Sequence, residues 1–339
     1  MILTYVIILS LSAAFFSFVG TFSVRYMSEM FGGARVPNIR DNHTKPVPKG
    51  AGIAVMLSII GFLCVLGMNA NILCAVLLLI FVSAIDDFRG LSPLLRLIFH
   101  VIAAMMMVAE LPAQIVPALP QFVEHAILVV GMVWFMNIYN FMDGIDEITA
   151  LQTTMICLGL ILISMIAPNI HNSVAYDNLI IISSVIGFWY FNRHPATIFL
   201  GDSGSIGLGA LMAWFLMSLA SKGLWVEALI LPAYYLLDSG LTFAKRLLCG
   251  KKPWQAHSEH AYQQFVRGGY SHNMATKILT FYNLLMLMAL LICLYKPQFR
   301  LLALSAIYGL AMVIYIYFAS AGAKMKNRKT KNIVKYASS

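Results

Sequence analysis

The feature that most constrains this chain is a series of apolar stretches, separated by short polar links, that continues almost from one end to the other. Each stretch is close to the roughly 17 to 25 residues that a helix needs to cross a bilayer. In lipid, every backbone N–H and C=O must be satisfied within the spanning element, so stretches of this kind fold as helices. The expected spans are 1–24, 51–68, 71–85, 94–110, 122–138, 148–167, 178–191, 204–221, 224–243, 276–295 and 299–319. That predicts an all-α polytopic integral membrane protein with about eleven transmembrane helices, ten if the closely spaced pair 51–68 and 71–85 is one element. Charge supports the class: 11% of residues are Asp, Glu, Lys or Arg, against about a quarter in soluble domains. A soluble enzyme, a disordered chain and a nucleic-acid binder are excluded. One polytopic domain is expected over 1–320, with a basic, solvated tail over 321–339. The first stretch lacks a cleavage site and reads as a retained helix. The five cysteines show no metal-ligand spacing and read as buried thiols.

Counting basic residues on alternate sides tests the topology, because Lys and Arg concentrate in cytoplasmic loops. With the amino terminus outside, twenty of the 23 fall on the inner side and only Lys222, Lys296 and Arg300 on the outer. This predicts a multi-pass membrane protein with its amino terminus outside and its carboxyl terminus in the cytoplasm. Acids carry little topological weight. Even so, most of them fall on the same inner side, which asks for a chemical reason.

Asp86 and Asp87 close the third span, where adjacent carboxylates repel and invite a cation or a shared proton. The plainer reading is a solvated helix terminus, although a helix carboxyl end disfavours negative charge. The segment 137–147, NIYNFMDGIDE, carries Asn137 and Asn140 and then Asp143 and Asp146, each pair at i,i+3. On one helical turn both acids could face one ligand, and oxygen ligands suit Mg²⁺; a cluster of caps and turns is the alternative. In FLGDSGSIGLG, residues 199–209, Asp202 sits between glycines at a helix start, fit for a metal and a phosphate. A small-residue helix built for tight packing would read the same way. Phe199 is placed to stack on a base or simply to pack. The longest inner loop, about 244–275, sets His257 and His260 beside Lys251, Lys252 and Arg267, a cationic group suited to diphosphate. It lacks the ligands for zinc. Lys45 and Lys49 precede the second span and could meet phosphate. Together these features fit Mg²⁺-assisted phosphoryl transfer between a soluble nucleotide and a membrane-held acceptor. A cation-coupled transporter and a catalytically degenerate assembly scaffold are the competing classes.

In this order and topology, DD at 86–87, NxxNFMDGID at 137–146, FLGDSGS at 199–205 and the His-bearing loop resemble the polyprenyl-phosphate N-acetylhexosamine-1-phosphate transferases, the MraY and WecA superfamily. The loop AHSEHAYQ differs from the HxHH or HHH of those two types and resembles the WbpL-like branch that initiates O-antigen synthesis. Glu147 stands where the family usually has Gly. The resemblance implies an active site on the cytoplasmic face and transfer of a HexNAc-1-phosphate from a UDP-sugar to undecaprenyl phosphate, with UMP released. It also implies Mg²⁺ as cofactor, with Mn²⁺ as the alternative ion. Asp86 would deprotonate or orient the lipid phosphate, with Asp87 in support. Asp202, Asp87, Asp143 and Asp146 would hold the metal. Asn137, Asn140, Asp143, Asp146, Phe199, Lys45 and Lys49 would bind the nucleotide and phosphates, and His257 and His260 the diphosphate or sugar. Expected partners are undecaprenyl phosphate, a UDP-N-acetylhexosamine, the bilayer and a second copy in a homodimer, with no nucleic acid.

Overall fold

The computed structural model describes residues 2–31, 47–252 and 257–337; Lys45 lies outside them. The named elements of the described residues are helices: α1 (Ile2–Met30), α2 (Ala51–Val65), α3 (Ala70–Arg89), α4 (Pro93–Val108), α5 (Gln121–Phe141), α6 (Ile148–Ile166), α7 (Ser173–Asn192), α8 (Asp202–Ser221), α9 (Trp225–Ile230), α10 (Ala233–Leu248), α11 (Ala261–Gly268), α12 (His272–Tyr295) and α13 (Arg300–Ala337). Among the described residues, eight helices are long and apolar enough to cross a membrane, and α2 and α4 are shorter apolar helices. The protein is a multi-pass membrane protein. Sequence signals set several starts: Asn69 caps α3, Ser92 followed by Pro93 caps α4, and Ser271 caps α12.

Ten of the eleven expected spans are single helices; the ninth, 224–243, is broken into α9 and α10 at Leu231–Pro232. Proline has no N–H to continue the ladder. At the break the Gln152 side chain donates to the Leu231 carbonyl at 3.1 Å, as a non-aqueous setting requires. A further difference lies at the carboxyl end. The expected boundary at 320 falls inside α13, whose Ala321 is buried and whose Gly322 backbone lies against Gln264 and Phe265 of α11. Cys157 and Cys293 are buried as expected, whereas Cys64, Cys74 and Cys249 are exposed.

α6 and α8 form the centre of the bundle, with most of their residues buried. α3 and α5 pack on α8, α7 on α6, and α1 on α7 and α2. The small residues that open α8 let α2 cross it closely: a Cβ at Gly52 would lie 2.3 Å from the Gly204 nitrogen. Just before this crossing the two incoming segments pair. Phe199 N–H donates to Pro48 O at 2.9 Å, Gly50 N–H to Phe199 O at 3.2 Å, and Gly52 N–H to Leu200 O at 2.8 Å. This short bridge sets Lys49 beside Phe199. The opposite end of the bundle uses its acids for anchoring. Glu124 accepts the Ile115 and Val116 N–H groups, Glu110 accepts from Asn69 and Asn71, and buried Glu227 pairs with Arg300 at 2.7 Å.

Candidate active site

The candidate residues lie at the end of the bundle where α3 and α5 finish and α2, α6 and α8 begin. Here Lys49 Nζ lies 4.0 Å from Asp202 Oδ1. Gly201 adopts φ +80, a left-handed conformation natural to glycine, and a Cβ there would lie 3.5 Å from Asp87 Oδ2. The Asp87 carboxylate therefore faces the turn that carries Asp202. Asp143 is the third acid of the group. Burial pushes its carboxyl up to about 6; the Thr149 hydroxyl, which donates at 2.6 Å, and Lys49 oppose the rise, while Asp202 and Asp146 add to it. Carboxylates gathered in a partly enclosed space suit a hard cation, and their oxygen-only chemistry fits Mg²⁺.

Asp86 does not share this setting. Its Oδ1 accepts the Leu91 N–H at 2.6 Å and its Oδ2 accepts from Arg96 at 3.0 Å, so its contacts fasten the α3–α4 corner. Asp146 also departs from the expected shared turn. Residues 142–147 are not helical, since α5 ends at Phe141 and α6 starts only at Ile148, with Glu147 at φ 70. The i,i+3 spacing therefore does not bring Asp146 to the ligand face of Asp143. Buried Asp146 instead lies 2.6 Å from His194 Nδ1 and 3.5 Å from His272 Nδ1, and accepts the Ala196 N–H. These three side chains could in principle ring a metal, but the His272 Nδ1 lone pair already accepts the Asp146 N–H at 3.2 Å. Asn137 turns back to the Val133 carbonyl of its own helix, and Asn140 stands half-buried one turn later.

The loop before α11 is assembled differently from the cationic group expected there. Arg246 and Lys251 both pair with Glu259, at 2.7 and 2.9 Å, and Arg267 bonds to Ser258. Burial alone would raise Glu259, but Lys251 and Arg246 hold it below the usual carboxylate range. These cations serve the loop's own acid. His257 and His260 stack with ring centroids 5.0 Å apart, against Phe141. Burial, then His260 and Arg246, lowers His257 to about 4, so it is neutral at pH 7. Tyr262 and Gln263 have a packing role. The Tyr262 hydroxyl donates to Phe141 O at 2.9 Å, and both side chains close over Gly144, where a Cβ would collide with them.

The sequence reading missed Asp238, His194, His272, Thr149 and Arg96. Asp238 carried a findable signal, a lone acid in an apolar span. His194 and His272 did not, being 48 and 126 residues from Asp146.

Glycosyl transferase family 4 matches the chain over residues 69–220, which hold Asp86, Asp87, Asp143 and Asp202. The likeness to curated proteins extends further. A decaprenyl-phosphate N-acetylglucosaminephosphotransferase of Mycolicibacterium smegmatis is 25% identical over 320 residues, covering 80% of this chain and 78% of its own. The chain is similar to the polyprenyl-phosphate N-acetylhexosamine-1-phosphate transferases over most of its length. Its similarity spans both main types. The decaprenyl-phosphate N-acetylglucosaminephosphotransferase of Mycobacterium tuberculosis strain H37Rv is 26% identical over 320 residues, 80% of this chain and 78% of that one. A phospho-N-acetylmuramoyl-pentapeptide-transferase of Streptococcus uberis is 29% identical over 195 residues, 51% of this chain and 56% of that one. In this superfamily frame, Glu147 is a non-glycine residue in a left-handed conformation.

Proposed function

We propose that this protein transfers a HexNAc-1-phosphate from a UDP-sugar to undecaprenyl phosphate at the cytoplasmic face of a bacterial inner membrane, releasing UMP. The observation that carries the reading is the meeting of Lys49, Asp87, Asp143 and Asp202 at one end of a membrane bundle. Exposed apolar side chains, Phe81, Leu94, Leu97 and Ile98, flank the adjacent α3–α4 corner and suit a prenyl tail. The preponderance of Lys and Arg in the loops at this end supports a cytoplasmic site.

Asp87, Asp143 and Asp202 would hold Mg²⁺, which would neutralise charge on the diphosphate oxygens. Lys49 adds a positive charge beside Asp202, where the leaving phosphate of UMP would rest. Phe199, fixed beside Lys49 by the backbone bridge, offers its ring to uracil. Asp86 enters by holding Arg96 at the corner, so that a guanidinium stands where the lipid phosphate would arrive. Direct attack follows from the acceptor's chemistry. A phosphate monoester carries about 1.5 to 2 negative charges at pH 7, so one of its oxygens attacks the sugar-bearing phosphorus and the bond to UMP breaks, with no need for a protein nucleophile. Tyr262 and Gln263, packed on Gly144 where other branches carry histidines, support an O-antigen-initiating enzyme that uses GlcNAc or a 6-deoxy sugar such as FucNAc or QuiNAc.

A panel of UDP-GlcNAc, UDP-GalNAc, UDP-FucNAc, UDP-QuiNAc and UDP-MurNAc-pentapeptide, assayed in membranes with undecaprenyl phosphate, tests this. Mg²⁺-dependent UMP release and a lipid-linked product are expected with at least one of the first four. UMP release from none of them, with either Mg²⁺ or Mn²⁺ present, overturns it.

A further inference from the structure

Asp238 belongs to none of the motifs above, yet it is the most enclosed acid near the site, fully buried on α10. A carboxylate inside a membrane bundle is expensive, and such groups are kept for a partner they serve. Asp238 has four. Tyr234 and Thr242, one turn away on either side, donate to Oδ2 at 3.1 Å and Oδ1 at 3.2 Å. The Ala261 N–H donates to Oδ1 at 3.1 Å, tying down the start of α11. The fourth is His260, whose Nδ1 lies 3.2 Å from the same oxygen.

An ionised carboxylate only accepts, so Nδ1 carries the hydrogen and the ring is turned with Nε2 away from Asp238. His260 is 2% exposed, and its Nε2 is buried without a hydrogen-bond partner among the described residues. Such an atom calls for a partner from outside the described side chains, and at this end of the bundle the substrate is the one at hand. Around the ring stand His257 from the preceding loop, Tyr262 from α11 and Phe141 from α5, and the charged groups nearby, Arg246 and Glu259, are paired with each other.

We propose that Asp238 is a positioning residue for the transfer, holding His260 as the Nδ1–H tautomer so that Nε2 accepts a hydrogen bond from the amide N–H or a hydroxyl of the amino sugar. The inference rests on the proposed function and deepens it. It assigns His260 to the sugar and leaves the diphosphate to other groups.

Asp238→Ala removes the acceptor, whereas Asp238→Asn keeps an oxygen where Oδ1 now accepts three donors. In the alanine variant the KM for UDP-sugar should rise about tenfold, the loss of about one hydrogen bond, with the KM for undecaprenyl phosphate unchanged. The asparagine variant should stay within about threefold of wild type. UDP, which lacks the sugar, should inhibit wild type and the alanine variant equally. A purely structural role would lower the active fraction and leave KM alone, and that result overturns the inference. So does a UDP inhibition constant that rises together with KM, because the contact would then be to diphosphate. Should Asp238→Ala fail to fold, ¹⁵N NMR of histidine-labelled wild type, assigned with His260→Gln, decides the matter. A protonated Nδ1 with an unprotonated Nε2 is expected, and the reverse tautomer overturns the assignment. Absence of turnover in wild type would refute the proposed function, while the NMR reading of Asp238 and His260 would still stand on its own.

Discussion

Glu147 gives a sign test of local strain against hydrogen bonding. Its φ of 70 is left-handed, which costs an L-residue about 1 to 2 kcal/mol, so Glu147→Gly removes that strain. The same change deletes the carboxylate that accepts Trp189 Nε1–H at 3.1 Å and His194 N–H at 3.0 Å. Hydrogen bonds to a charged group contribute about 1.5 to 3 kcal/mol each, and the half-exposed setting favours the lower figure, about 3 kcal/mol for the two. Glycine also frees the unfolded chain, at a further cost of about 0.5 to 1 kcal/mol. The net expectation is a loss of about 2 kcal/mol. The Glu147 N–H to Asn192 bond at 2.9 Å survives in the variant because it uses the backbone. Thermal unfolding in nanodiscs, followed by tryptophan fluorescence, should show a midpoint several degrees lower for Glu147→Gly. Because the side chain ties the 189–194 segment to the Asp143–Asp146 loop, the KM for UDP-sugar should rise as well. A midpoint equal to or above that of wild type would refute the reasoning, since strain would then outweigh the bonds.

Asp202→Asn and Asp87→Asn should abolish UMP release while leaving the protein folded in the membrane; activity above about a tenth of wild type in either would count against the metal assignment. Gly52→Ala should sharply reduce folded yield, because its Cβ would strike the Gly204 backbone, whereas Gly61→Ala, with open space around its Cβ, should be neutral or mildly stabilising. His257 is lowered from 6.5 to about 4 in the fold. The unfolded chain therefore takes up this proton first, and stability present above about pH 6.5 is lost as pH falls toward about 4. His257→Phe should flatten that part of a pH–stability profile measured by denaturation, and an unchanged slope would refute the assignment.

The helical class, the near-complete set of spans and the end of the bundle that collects acids were legible in the sequence. They depend on local hydropathy and on loop charge, and lipid leaves an apolar stretch little choice but a helix. Asp202, Asp87 and Lys49 were legible as candidates for the same reason, as polar residues at span ends. What they touch was not. The i,i+3 spacing of Asp143 and Asp146 presumes a helical turn, but both lie in the non-helical link between α5 and α6, where Asp146 meets two histidines far away in sequence. Asp86 and Asp87 are neighbours with different surroundings, one tied to Arg96 and the other facing Gly201. Asp238, a lone acid inside an apolar span, has its role only because α10 and α11 close on it. The sequence by itself determined which residues are too costly to leave in lipid and on which side they gather. Only the tertiary structure, through the crossing of α2 on α8 and the closing of α11 over Gly144, decided which of those residues share a ligand, because a shared ligand is a matter of distances between segments that the chain order does not bring together.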